Sequence, residues 1–185
     1  MPDSYLVCHC SPTLAGLKTG NIFTYRFSSL LELKDSIIRL NRRLSSKGIR
    51  VIPLRIRQST ALIYVFRPKK LSADLNNTEA ETLLEQFGYS PDLPGKCIAK
   101  LIDRLKDKDD FPHEIGLFLG YPPEDVKGFI CHKNEGCKSI GCWKVYGDLE
   151  KAEDTFRKFK KCKSIYSAQL ANGSSLERLT VCDRA

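Results

Sequence analysis

Apolar residues recur every three or four positions over several stretches of the chain and alternate or cluster in a few short ones. Leu30, Leu33, Ile37, Leu40 and Leu44 predict an amphipathic helix over 30–46. Ser29 and Glu32 form a capping box at its start, Arg39, Arg42 and Arg43 lie toward the negative end of its dipole, and Gly48 closes it. The stretch NIFTYRF at 21–27 predicts a strand before this helix. Residues 49–57 and 60–66 predict two more, joined by Gln58–Ser59, a link without the usual Gly or Asn of a tight hairpin. Arg55 and Arg57 alternate with Leu54 and Ile56, as a strand with one wet face requires. The segment 1–70 therefore reads as β-α-β-β.

The segment 71–130 reads as helical. Thr78 and Glu81 form a second capping box for a helix through Phe87, with Gly88 as its stop. Ile98, Leu101, Ile102 and Leu105 mark another helix, and 107–110 a charged turn. Pro112 suits the first turn of a helix carrying HEIGLFLG, and Pro122–Pro123 open the next, to about 130. The segment 131–185 reads as β-α-β-α: a loop at 131–142, a strand at 143–146, a helix capped by Asp148 and a strand at 164–170. The turn Asn172–Gly173 and a last short helix, capped by Ser174 with Glu177, complete it. The expected architecture is a single α+β domain over 1–185. Its mixed sheet comes from the N-terminal β-α-β-β unit and a C-terminal β-α-β unit, with the helical middle packed on it.

Composition sets the class. With 42% hydrophobic and 28% charged residues over 185 positions, the chain is globular rather than disordered. No apolar run approaches the roughly 18–20 residues of a membrane span, so no membrane partner is expected. The start, MPDSYLVCHCSPTL, lacks the basic and apolar regions of a signal peptide, which points to a cytoplasmic protein with its eight cysteines as thiols. Charge is uneven: 1–70 holds 13 Lys and Arg against 3 Asp and Glu, and 71–185 holds 17 against 19. A basic first third suits an anionic partner, whether nucleic acid, a phosphorylated metabolite or anionic lipid, and as a binding module it would take RNA or an acidic protein; a solvated basic face is the bland alternative. Nucleic acid is the less favoured of these, because no homeodomain, RRM signature or zinc-finger spacing is present.

Candidate chemistry falls in four places. The run CHCSPTLAGLKTGN at 8–21 joins thiols to an imidazole, and its Gly16, Lys18 and Gly20 suit a loop that holds an anion, although it is no Walker A loop. Read as extended, residues 5–10 place Cys8 and Cys10 on one face and His9 on the other. Cys10 beside His9 is a candidate nucleophile or redox group, the alternative being small core residues of a buried strand. His113 and Glu114 at a helix start are candidates for acid–base chemistry, but position 117 is Leu, which excludes a zincin. Gly116 inside a helix signals close approach of a backbone or ligand. Cys131, His132, Cys137 and Cys142 are ligand types, but their spacing is unlike that of zinc ribbons or ferredoxin runs, so no metal is assigned; a loop with incidental thiols is the plainer alternative. Trp143 and Tyr146 are candidates to wall a planar ligand, against the plainer role of core aromatics.

The segments HCSPTLAGLKTGNIF (9–23), YVFRPKKL (64–71), DFPHEIGLFLGYPPEDVKGFI (110–130), WKVYGD (143–148) and NGSSLERLTV (172–181) resemble a bacterial family, domain of unknown function family three-seven-nine-three. The resemblance covers nearly the whole chain and implies a cytosolic protein from mainly anaerobic Gram-positive bacteria. It maps His9, Cys10, Pro12, Thr13, Gly16, Lys18, Arg67, His113, Glu114, Trp143 and Tyr146 onto the family pattern and supplies no role for them. Cys142 departs from that pattern, and Cys131, His132 and Cys137 lie outside it.

The reading that follows is a protein binding a small anionic or redox-active ligand. Cys10, His9, His113 and Glu114 supply chemistry, Thr13, Gly16, Lys18 and Arg67 hold the anion, and Trp143 and Tyr146 form an apolar wall. Whether it is a thiol-linked enzyme stays open, no cofactor is assigned, and the oligomeric state is left open. The alternatives are a nucleic-acid or protein-binding module using Arg39, Arg42, Arg43, Arg50, Arg55 and Arg57, and a metal- or haem-handling protein.

Overall fold

A computed structural model of the chain describes residues 1–106, 111–133 and 135–183; the charged turn expected at 107–110 lies outside them. In chain order the elements are α1 (Asp3–Leu14), β1 (Gly20–Arg26), α2 (Leu30–Leu44), β2 (Arg50–Arg57), β3 (Thr60–Phe66), α3 (Pro68–Leu75), α4 (Thr78–Gln86) and α5 (Pro94–Arg104). They continue with α6 (Ile115–Phe118), α7 (Pro123–His132), β4 (Ser139–Ile140), β5 (Lys144–Val145), α8 (Leu149–Ala171) and α9 (Leu176–Leu179). The fold is α+β, as the apolar pattern predicts. It divides into two units, residues 1–69 with 159–185, and residues 70–158. No described helix is long and apolar enough to cross a membrane.

The first unit is built on an antiparallel sheet with strand order β1-β3-β2. The sheet is thus antiparallel throughout, not mixed. One face is buried under α1 and α2, where Leu6, Val7, Cys10 and Leu14 meet Leu33, Leu40 and Leu44, and the strands contribute Phe23, Val51, Ile63 and Val65. Leu176 and Leu179 of α9 complete this core. Ser29 caps α2 as predicted, its hydroxyl accepting from the Glu32 N–H at 3.1 Å. The hairpin lacks Gly, so Gln58 itself takes the left-handed conformation, with φ of 46°. In β2 the register with β3 shifts between Pro53 and Arg55, leaving Leu54 as the extra residue of a β-bulge.

Four local expectations are corrected. Residues 5–10 are helical, not extended: the buried Leu6, Val7, Cys10 and Leu14 follow helical spacing. Pro12 is tolerated in α1 although it has no N–H to donate. Residues 164–170 continue α8 instead of forming a strand, because Phe159, Cys162, Tyr166 and Leu170 keep a three-to-four spacing with no Gly or Pro to interrupt it. No C-terminal β-α-β unit therefore forms. The caps of α4 and α9 shift by one: Asn77 accepts from the N–H groups of Glu79 and Ala80, and Ser175 from that of Arg178.

The second unit is mainly helical. Here α7 lies against α4 and α6, and β5, paired antiparallel with β4, packs on α7. Gly120, at φ of 73°, turns the chain between α6 and the Pro122–Pro123 entry to α7. The Asp148 side chain accepts from the Lys151 N–H at 3.1 Å and caps α8, as predicted.

Candidate functional site

The residues expected around one cleft fall in different units. His9, Cys10, Thr13, Gly16, Lys18 and Arg67 belong to the first, and His113, Glu114, Trp143 and Tyr146 to the second.

In the first unit, the helical turn of α1 separates the sulfur and imidazole groups. Cys8 and His9 are exposed, whereas Cys10 is fully buried in the core. Burial pushes the Cys10 thiol well above its ordinary pKa, and the Lys18 ammonium only partly opposes this. A buried, protonated thiol is a poor nucleophile, since the thiolate is the reactive form. The His9 ring stacks on Phe23, with centroids 5.0 Å apart, and its pKa is lowered by partial burial and then by Lys163. A thiol-specific disulfide reagent is expected to label the exposed Cys8, Cys131, Cys142 and Cys182 in the native protein, and the buried Cys10, Cys97 and Cys162 only after denaturation. Mass-spectrometric mapping checks this; rapid native labelling of Cys10 would contradict its placement.

Arg67 is the largest fully buried side chain of the molecule. Its Nε donates to the Thr13 carbonyl at 2.7 Å, and its Nη2 to the carbonyls of Leu14 at 2.8 Å and Val181 at 2.7 Å. Nη1 donates to the Lys47 carbonyl at 3.2 Å and to the Asp183 carboxylate. A guanidinium has five N–H groups, and these contacts occupy all of them. Arg67 therefore ties the end of α1 to the chain beyond α9 and has no N–H left for a ligand. Thr13 is buried, its hydroxyl bonded to the Asn21 side chain at 2.7 Å, and Gly16 turns the chain after α1 at φ of 73°. Lys18 is buried as well.

In the second unit, Asp125 stands in the first turn of α7 and is buried, with 3% of its surface exposed. Its Oδ1 accepts from the backbone N–H groups of Tyr146 at 2.7 Å and Gly147 at 2.8 Å, and its Oδ2 from the Trp143 indole N–H at 2.7 Å. One carboxylate thus clamps the β5 segment to α7 and fixes the indole plane. Trp143 stands tilted to Tyr121, with centroids 4.9 Å apart, and edge-on to Phe156 at 4.5 Å. Phe129, one turn beyond Asp125, receives the His113 ring edge-on at 4.9 Å and the Lys144 ammonium over its face at 5.1 Å. Asp125, Trp143, Tyr121, Phe129, His113 and Lys144 line a cavity of about 380 Å³ together with Phe111.

Gly116 also lines this cavity, and the close approach its sequence position signals is made by Val126, which a Cβ there would meet at 2.7 Å. Tyr146 lies elsewhere: its ring packs on Gly128, where a Cβ would come within 2.4 Å of it, and its hydroxyl donates to the Lys133 carbonyl. Glu114 is buried and accepts from the Tyr89 hydroxyl at 2.8 Å, with Arg104 in an ion pair at 2.5 Å. Burial, followed by the adjacent Glu114 charge, raises the Tyr89 pKa. Of the residues expected to share a site, His113 and Trp143 are brought to one cavity. Asp125, Phe129 and Tyr121 carry no signal in the sequence that points to this cavity. An acid after Pro-Pro reads simply as a favourable charge at a helix start, and nothing in its spacing reveals the bond to Trp143.

The cavity offers stacking surfaces and few polar atoms, and no Ser, Thr or Cys is among its lining residues. Among the described residues, no group of three or more His, Cys, Asp or Glu side chains is gathered as metal ligands would be. Neither the curated proteins nor the solved structures contain a match to this chain. A family model matches residues 6–180, across both units, and by that match the chain belongs to the family described as Protein of unknown function (DUF3793).

Proposed function

We propose that the protein binds a small planar ligand bearing an acidic substituent in the aromatic cavity of its second unit. One observation carries this reading: a desolvated carboxylate is used to orient a tryptophan beside an open cavity of about 380 Å³. That volume lies in the range of small-molecule pockets, which are mostly apolar with a few fixed polar groups. The rings of Trp143 and Phe129 supply faces for stacking. Lys144 and the His113 imidazole supply the polar edge, and they favour an acidic group over a cationic one.

Trp143 is the only tryptophan of the chain, so its fluorescence reports on this cavity alone. A panel of planar aromatic carboxylates, titrated against the native protein, is expected to include compounds that quench or shift the emission saturably. Cyclohexanecarboxylate, equal in charge but not flat, is expected to do so at least tenfold more weakly. Phe129→Ala is expected to weaken the response at least tenfold. The reading fails if no planar acid gives a saturable change by about 1 mM, where binding is worth only about 4 kcal/mol.

A further inference from the structure

The two edges of the first unit's sheet differ. The β2 edge is guarded. The Asn41 side chain, from α2, donates to the Val51 carbonyl at 2.7 Å and accepts from the Val51 N–H at 3.0 Å, so both groups that Val51 turns to the edge are taken. Pro53, next on that edge, has no N–H to offer, and the bulge at Leu54 breaks the line beyond it. An edge proline, a bulge and a covered backbone each keep a sheet from adding strands.

The β1 edge carries none of these devices. The Arg67 N–H donates to the Thr19 carbonyl and the Phe27 N–H to the Ser59 carbonyl, each at 2.9 Å. These bonds fix the alternation of the β1–β3 pair: Asn21, Phe23 and Tyr25 turn their backbone groups to β3, and Ile22, Thr24 and Arg26 turn theirs to the open side. No described residue bonds to those outward groups. Gly20 is buried, so the free edge runs from Ile22, half-buried, to Thr24 and Arg26, both exposed. The strand has no Pro, Lys or bulge, and its one charge, Arg26, stands at the end. On the core side Tyr5 and His9 border the same strand. His9 stacks on Phe23, and Tyr5, 38% exposed, meets Tyr25 edge-on at 5.3 Å.

We propose that β1 pairs antiparallel with β1 of a second copy of this chain, joining the two sheets into one about a two-fold axis. An edge whose outward N–H and C=O groups alternate is complementary to its own antiparallel copy. With the axis at Thr24, Thr24 faces its counterpart and Ile22 faces Arg26 of the second copy, and each facing pair exchanges two hydrogen bonds. This register sets the two arginines at opposite ends, where like charges do not oppose, and a Thr–Thr pair at the centre. On the core side Phe23 faces Tyr25 of the second copy, an aromatic pair across the seam. Strand edges of about 17 Å alone fall short of the roughly 1,200 Å² that a stable interface buries, and the exposed Tyr5 and His9 rings beside them extend the contact. A second copy is the occupant these features favour, because the edge complements itself in hydrogen bonds, in charge and in its rings. The guarded β2 edge then sets the size: one free edge per chain closes at a dimer, whereas two would continue into a filament.

The test is sedimentation velocity of the full chain under reducing conditions, which keep the exposed thiols from cross-linking copies. The mass is expected to rise from monomer to dimer through the micromolar range and to stop there. In step with it, hydrogen exchange at the Ile22, Thr24 and Arg26 amides is expected to slow by roughly tenfold or more, while the Val51 amide, already bonded, does not change. Thr24→Lys sets two ammonium groups face to face on the axis. It is expected to weaken association by roughly tenfold or more, with the melting curve of the dilute monomer unchanged. Thr24→Pro removes an edge N–H that no described group uses and is expected to do the same; if it unfolds, Thr24→Lys, at an exposed position, still decides. The proposal is overturned by a monomer at about 1 mM, where binding is worth only about 4 kcal/mol, even one whose edge amides slow when an unrelated extended peptide is added. It is equally overturned by a dimer that both variants leave intact, by growth beyond the dimer, or by edge amides already protected in the dilute monomer.

Discussion

Arg67→Met is expected to destabilise the protein by about 3–5 kcal/mol, the range found when one partner of a buried charge pair is removed. Methionine keeps much of the side-chain length, so most of the loss is electrostatic. Four backbone carbonyls, those of Thr13, Leu14, Lys47 and Val181, lose their donor, and the Asp183 carboxylate loses its cation. Each buried acceptor left unsatisfied costs about 1–3 kcal/mol before relaxation, so the total is held down only by water entering at the freed tail. Val181 keeps one tie, its N–H donating to the Leu14 carbonyl at 3.0 Å. Arg67→Lys retains the charge but not the planar fork, and a smaller loss of about 2 kcal/mol follows. Urea denaturation measures both losses, and carboxypeptidase digestion reports release of the tail. A midpoint unchanged in Arg67→Met would show that the five bonds do not hold the unit together.

Asp125→Ala is expected to cost about 2–4 kcal/mol, because three donors lose a charged acceptor at once. Its more specific effect is on Trp143. Freed from Oδ2, the indole leaves its fixed plane, so the emission is expected to move to longer wavelength and acrylamide quenching to rise. Asp125→Asn keeps one acceptor oxygen and is expected to fall between, losing either the indole bond or the backbone pair. A stability loss with unchanged emission would mean that the carboxylate holds the β5 segment without orienting the ring. In that case the cavity loses the feature on which its proposed role rests.

These two carboxylate and guanidinium hubs were also the least legible features of the sequence. Leu30 to Leu44 announced α2 because helical spacing, a serine cap and terminal arginines all agreed, and the 49–66 hairpin was equally plain. The pattern is misleading where local signals conflict. In α1, Cys8, His9 and Cys10 imitate strand alternation, Pro12 speaks against a helix, and only the burial of Leu6, Val7, Cys10 and Leu14 shows the true period. At 164–170 an isolated β-branched Ile165 was outweighed by Tyr166 and Leu170, which carry the helical stripe onward. The cavity was half legible: His113 and Trp143 were found by residue type. Asp125, Phe129 and Tyr121 were not, because their meaning depends on which element they face. The Leu54 bulge inverts a face without any Gly or Asn to mark it, so alternation alone assigned Arg55 and Arg57 without showing what they would lie beside.

The first unit is discontinuous along the chain: the sheet and α1 come before the second unit, and α9 with the Arg67-bound tail comes after it. On a ribosome, residues 70–158 emerge whole while their predecessors still lack Leu176, Leu179 and Asp183. The early segment must wait with an unfinished apolar surface, and its closing contacts span more than a hundred positions, which slows their formation. During that interval nascent chains are at their most vulnerable to aggregation, and truncation before residue 176 would leave them there permanently.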